Sequence, residues 1–314
     1  MLCPDPNAFL PESIDTATAQ YNARLERMLA GLPQPCDVPV ETTRRAREEG
    51  RGPFGPLKIL GGTESRTIPG PAGDIALRVF LPSRIKGVYL HFHGGGWALG
   101  GVHHQDPLLW DLARQCELAV LSVDYRLAPE NPYPAGPDDC ESAALWLARN
   151  AKSEFGSDRV LVGGESAGAH LSAVTMLRMR DKHGFTGFAA ANLTYGIFDV
   201  SMTPSASNWG SRYFILSTPI LRWFGDRFVA PEHRRHPDVS PLYASLHGLA
   251  PAIFTAGTLD PLIDDTLFMH ARWAAAGNRA ELAVYPGGAH AFNVFPIALA
   301  EQANARIHRF LMSA

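Results

Sequence analysis

Cysteine is scarce: Cys3, Cys36, Cys116 and Cys140 are scattered, with no close-spaced pair of the kind that makes a zinc knuckle or a redox dithiol. Buried or incidental thiols in a reducing cytoplasm are the expectation. Long apolar runs are missing too, and no window approaches the roughly 20 uncharged apolar residues of a spanning helix. Residues 1–20 contain acids and prolines and lack the cationic start and apolar centre of a signal peptide. Basic charge is not in excess: the net charge of −3 gives no field for nucleic acid. Internal repeats and low-complexity tracts are absent. These absences point to a cytoplasmic protein with no membrane span and no nucleic-acid partner, and they leave a homodimer open.

Core material is present. Apolar residues make up 46% of the 314 and charged residues 19%, near the globular average and enough for one α/β domain with an appended lid. Short apolar runs read as strands at 76–81, 87–92, 118–123, 159–162, 188–193, 252–256 and 279–285. Amphipathic stretches at 107–116, 141–152 and 167–179 alternate with them. That rhythm implies crossover connections and a mostly parallel sheet covered on both faces.

Two regions stand outside it. Residues 13–30 place Ile14, Ala17, Tyr21, Leu25, Met28 and Leu29 at a helical period, with Ser13 as N-cap and Gly31 as stop. A second helix is expected within 38–50. Between 198 and 240 no strand is evident, yet Trp209, Tyr213, Phe214, Trp223, Phe224 and Phe228 crowd together, which predicts a helical lid rather than an open loop.

The chemistry-bearing motifs follow the strands. Gly164-Glu165-Ser166-Ala167-Gly168 is a G-x-S-x-G between strand and helix, where a tight turn exposes the serine hydroxyl. His93-Gly94-Gly95-Gly96-Trp97 leaves backbone amides unscreened by side chains, as an oxyanion hole requires, and the amide of Ala167 is a further donor. Serine needs a base. Of twelve histidines, His290 lies in a glycine-rich loop just after the last strand, whereas His93 reads as an orienting loop residue. Asp260 ends the strand at 252–256 through Gly257-Thr258-Leu259 and is stopped there by Pro261; Asp264 and Asp265 are nearby rivals for the acid. Ser166, Asp260 and His290 run in the order expected of α/β-hydrolases. His103 and His104 with Asp106, and His233 with His236, lack a convincing ligand count and read as solvated histidines, so no metal is expected.

In combination, His93-Gly-Gly-Gly-Trp97, Asp124-Tyr-Arg-Leu-Ala-Pro-Glu130, Gly164-Glu-Ser-Ala-Gly168, Asp260-Pro-Leu262 and His290-Ala-Phe292 resemble the hormone-sensitive-lipase family, the bacterial family IV esterases. The resemblance covers nearly the whole chain. It implies an α/β-hydrolase fold, with an eight-stranded, mostly parallel sheet flanked by helices. It divides the chain into a core (53–197 and 241–314), an N-terminal helical cap segment (1–52) and a cap insertion (198–240). It also implies catalysis by Ser166, Asp260 and His290, with the oxyanion held by amides among Gly94, Gly95, Gly96 and Ala167, and no cofactor. Glu165 stands where many relatives have Asp, and Ala169 where many have Gly. Arg126 and Glu130 are expected to brace the wall of the site rather than react.

The expected activity is hydrolysis of small carboxylic esters through an acyl-enzyme, with acyl chains of roughly C2 to C8 set by a finite apolar cavity. Amide, lactone or carbamate hydrolysis and acyl transfer use the same triad. A non-catalytic receptor is a different class: plant gibberellin receptors resemble this family but lack the catalytic histidine, whereas His290 is present here.

Overall fold

The computed structural model describes residues 4–314, so Cys3 lies outside the described residues. Eight strands form one sheet in the order β1-β2-β4-β3-β5-β6-β7-β8. They are β1 Glu64–Gly70, β2 Gly73–Phe80, β3 Gly87–Phe92, β4 Leu118–Val123, β5 Val160–Glu165, β6 Phe188–Thr194, β7 Ala252–Leu259 and β8 Ala280–Ala289. β1 pairs antiparallel with β2, and β2 antiparallel with β4; every other pairing is parallel. The central strands β3, β4 and β5 are buried along their whole length, which is why their sequences are continuous apolar runs rather than alternating ones. β1 escapes a reading by apolar pattern because it is an edge strand in which only Ile68 is buried, and Pro69 is tolerated there.

Helices α3 Asp106–Cys116, α4 Ala135–Phe155, α5 Ala167–His183, α8 Ile263–Ala275 and α9 Ala298–Ser313 cover the faces. Because the parallel strands run the same way, the ends of β3, β5, β6, β7 and β8 open onto one carboxyl edge, the usual place for a site in such a sheet.

The N-terminal helices are α1 Thr16–Ala30 and α2 Val40–Glu48. Asp15, not Ser13, caps α1 by accepting the Thr18 amide at 2.9 Å. The buried face of α1 also differs from the expected stripe: it is Thr18, Asn22, Leu25 and Leu29, while Met28 is exposed. The polar Asn22 is accommodated because its side-chain amide donates to the Gly287 carbonyl at 2.8 Å, at the end of the sheet. Leu25 and Leu29 join Phe214, Ile215, Tyr285 and Phe292 in one apolar cluster.

The 198–240 stretch contains α6 Pro204–Asn208 and α7 Thr218–Phe228, linked by irregular chain rather than by continuous helix. Arg212 pairs with Glu26 of α1 at 2.7 Å, and Ser217 donates to Gln34 at 2.7 Å, so this stretch is fastened to the N-terminal segment. Cys116 and Cys140 are buried free thiols, and burial pushes the Cys116 thiol up to about 12. No described helix is long and apolar enough to cross a membrane.

Candidate active site

β5 ends at Glu165 and α5 begins at Ala167, leaving Ser166 alone on the turn with φ 57° and ψ −119°. Such a conformation is costly for a residue with a side chain, and the surroundings must enforce it. They do so from two sides. The Ser166 amide donates to the Thr194 carbonyl of β6 at 2.9 Å. A Cβ on Gly164 or Gly168 would come within 2.1 or 1.8 Å of the Phe92 carbonyl oxygen, so both motif glycines are dictated by the close approach of β3.

His290 follows β8 and Asp260 follows β7. The imidazole Nε2 lies 3.0 Å from Ser166 Oγ, and its Nδ1 lies 2.8 Å from Asp260 Oδ2. Asp260 is held in turn: its Oδ1 accepts the Leu262 amide at 2.9 Å. The rival acids are elsewhere. Asp265 is fully buried and accepts the amides of Phe198 and Asp199 at 2.6 and 2.8 Å and the Thr203 hydroxyl at 2.7 Å, anchoring the chain that leaves β6. Burial pushes its carboxyl up to about 7. Asp264 accepts the Ser205 amide at 2.8 Å.

The glycine loop needs one correction. The Gly94 amide donates to Glu165 Oε1 at 2.6 Å, so it is engaged and unavailable to an oxyanion. Among the described residues the amides of Gly95, Gly96 and Ala167 have no acceptor. The other oxygen of Glu165 meets His91 Nε2 at 3.0 Å, and His91 Nδ1 meets Ser122 at 2.9 Å. Glu165, beside Ser166, thus ties the glycine loop to the floor of the sheet.

Other side chains fix the surroundings. His93 stacks on Tyr125 at 4.3 Å, and desolvation drives its pKa down to about 3, which keeps it neutral and fits a loop-orienting residue. Trp97 Nε1 donates to His170 Nδ1 at 3.0 Å, leaving His170 Nε2 to donate to the Val239 carbonyl at 2.8 Å. Trp97 also stacks on Phe228 of α7 at 4.2 Å. Arg126 grips Asp139 through two bonds of 2.8 and 2.9 Å, and Glu130 pairs with Arg44 of α2 at 2.7 Å, both bracing contacts.

Tyr195 is a neighbour the sequence did not single out. Its ring lies 4.7 Å from that of His290, and its hydroxyl donates to Asn293 at 2.5 Å. Its place one residue beyond β6, at the same edge as Ser166 and Asp260, was the available signal. A small pocket beside Trp97 is lined by Ile197, Val200, Met202, Leu221 and Leu262. Asp106 is buried, pairs with Arg78 and accepts the Leu60 amide at 2.8 Å.

The alpha/beta hydrolase fold family matches residues 89–294. Carboxylic ester hydrolase LipN of Mycobacterium tuberculosis is 36% identical over 243 residues, which cover 74% of this chain and 64% of that protein. The chain therefore spans just under two thirds of that relative's length. A hyperthermophilic esterase from the archaeon Pyrobaculum calidifontis matches with a TM-score of 0.84 at 31% identity, over 96% of this chain and 98% of its own. A hormone-sensitive lipase from a metagenome library matches with a TM-score of 0.83 at 26% identity, over 96% and 98% of the two chains. With the fold, the motifs and these likenesses in agreement, the chain belongs to the α/β-hydrolases, in the hormone-sensitive-lipase family of carboxylic-ester hydrolases.

Proposed function

We propose that the protein is a carboxylesterase in which Ser166 is the nucleophile, His290 the general base and Asp260 the residue that orients and charge-stabilises the imidazole. The observation that carries this reading is the single imidazole spanning Ser166 Oγ at 3.0 Å and Asp260 at 2.8 Å. An imidazole so placed takes the serine proton as Oγ attacks the ester carbonyl, and the new charge on the carbonyl oxygen is met by the free amides of Gly95, Gly96 and Ala167. Collapse of the tetrahedral species breaks the bond to the alkoxy group, which leaves with the proton from His290. Water then attacks the acyl-serine with the same base, releasing the acid and restoring the hydroxyl. Every step uses groups of the chain itself.

The substrate is a small ester with an acyl chain of roughly C2 to C8, because each buried methylene contributes about 0.8 kcal/mol only until the cavity is full. The N-terminal segment and the 198–240 insertion act as a cap over the nucleophile, a role supported by the Arg212–Glu26 and Ser217–Gln34 contacts between them. A panel of p-nitrophenyl esters of increasing acyl length tests the proposal. A maximum of kcat/KM within that range supports it, and a preference for emulsified long-chain triglyceride rejects it.

A further inference from the structure

We propose that Glu48, His103 and His104 form a binding site for a divalent transition-metal ion of the zinc class. Sequence spacing could pair the two histidines only with Asp106, which the fold sends elsewhere. The third group comes from the last turn of α2, far back in the chain. One carboxylate oxygen of Glu48 meets His103 Nε2 at 3.0 Å and the other meets His104 Nε2 at 2.6 Å. The three ligand atoms lie within 4.8 Å of one another. A tetrahedral ion bound at about 2.0–2.1 Å sets its ligands roughly 3.3 Å apart, so modest side-chain rotations close the site around it.

The chemistry of the donors selects the ion. Two imidazoles and one carboxylate suit zinc and its neighbours, whereas calcium and magnesium want oxygen. Glu48 is 50% exposed, which leaves a side open for water to complete the coordination. His104 is 9% exposed and so is held in place by packing. The nearby Arg47 charge opposes a dication, and the Glu48 carboxylate offsets it.

The position gives the ion a structural task. Arg44, one turn before Glu48 on α2, donates to the Ala98 carbonyl at 2.9 Å and to the Ala128 carbonyl at 2.8 Å. α2 is thus already docked on the chain that runs from the oxyanion glycines to His104. An ion at Glu48, His103 and His104 adds a second strap between the same two elements, independent of the reactive serine.

The test is calorimetric titration of the metal-stripped full chain with Zn²⁺ alone, paired with melting temperatures with and without the ion. Glu48→Gln alters an exposed group and His103→Ala a half-buried one near the surface, so folded variants are expected. His183→Ala is the control, since His183 is a surface histidine beside Glu141, outside the site. Wild type and His183→Ala are expected to bind a single equivalent and to melt higher with zinc. Glu48→Gln and His103→Ala are expected to bind roughly tenfold more weakly or worse, with the thermal gain lost. No saturable binding by wild type, equal binding by the two site variants, or an equal loss in His183→Ala overturns the proposal.

Discussion

Glu165 Oε1 accepts the amide of Gly94 at 2.6 Å, which makes the residue preceding Ser166 the anchor of the glycine loop at 94–96. Glu165→Ala removes that anchor and leaves the Gly94 amide unpaired. Loss of a single oxyanion donor costs about 10²–10³ in kcat elsewhere, and misplacing the loop is expected to approach the lower end, about 10². Glu165→Gln keeps a carbonyl oxygen for Gly94 and is expected to recover most of the loss. Steady-state kinetics check this: the fall belongs in kcat with KM little changed. Equal activity in the Ala and Gln variants would remove the anchoring role.

Asp260→Asn is expected to lower kcat by several orders of magnitude, about 10⁴ where the equivalent exchange has been made in a serine hydrolase, because the imidazole loses its tautomer control. Asp264→Asn, which disturbs only a bond to the Ser205 amide, is expected to leave kcat near wild type. Asp265→Ala strands two buried amides and the Thr203 hydroxyl, so its effect is expected in stability, roughly 2–4 kcal/mol by denaturant titration. If Asp264→Asn and Asp260→Asn lose activity equally, the acid has been misassigned.

Stability should fall in acid through His170. Burial lowers its folded pKa from 6.5 to about 4, so between those values the unfolded chain binds a proton that the folded chain does not. The stability it contributes is therefore complete above pH 6.5 and lost progressively as pH falls toward about 4. Gln can accept from Trp97 and donate to Val239 as His170 does, without titrating. Urea unfolding of wild type and His170→Gln is expected to diverge in that window by up to about 1.4 kcal/mol per pH unit, wild type falling faster. Parallel curves would show that His170 is not held neutral. Asp265, with its raised pKa, contributes in the opposite sense and cancels in the difference.

Ser166, Asp260 and His290 each stand directly after a strand end, and the sequence points to them by local pattern: the G-x-S-x-G turn for Ser166, and the loops after the apolar runs at 252–256 and 279–285 for Asp260 and His290. Core strands were read for the same reason: burial on both faces writes a continuous signal into β3, β4 and β5. β1 carries no such signal, since one buried side chain in seven residues looks like loop. The buried face of α1 was misjudged because Asn22 is buried by a specific long-range hydrogen bond, which periodicity weighs as an exposed polar residue. The Gly94 exception had the same origin. Which glycine amides stay free depends on Glu165, seventy-one positions away in sequence, and on nothing local. Glu48 beside His103 and His104 was equally invisible.

Removing residues 1–31 takes away α1 and with it the cover over Phe214, Ile215 and Tyr285. The exposed cluster is expected to lower stability and to flatten the dependence of kcat/KM on acyl length, since the cavity loses part of its roof. Thermal melts and the ester panel on the truncated protein check this. Unchanged stability together with an unchanged chain-length profile would contradict a capping role.

Whether one serine carries the acyl group is decided by treating the protein with a fluorophosphonate and mapping the adduct by mass spectrometry while esterase activity is followed. A single adduct is expected, on Ser166, with activity falling in proportion to its formation and no adduct in Ser166→Ala. An adduct on another serine, or full activity in protein fully labelled at Ser166, would contradict it.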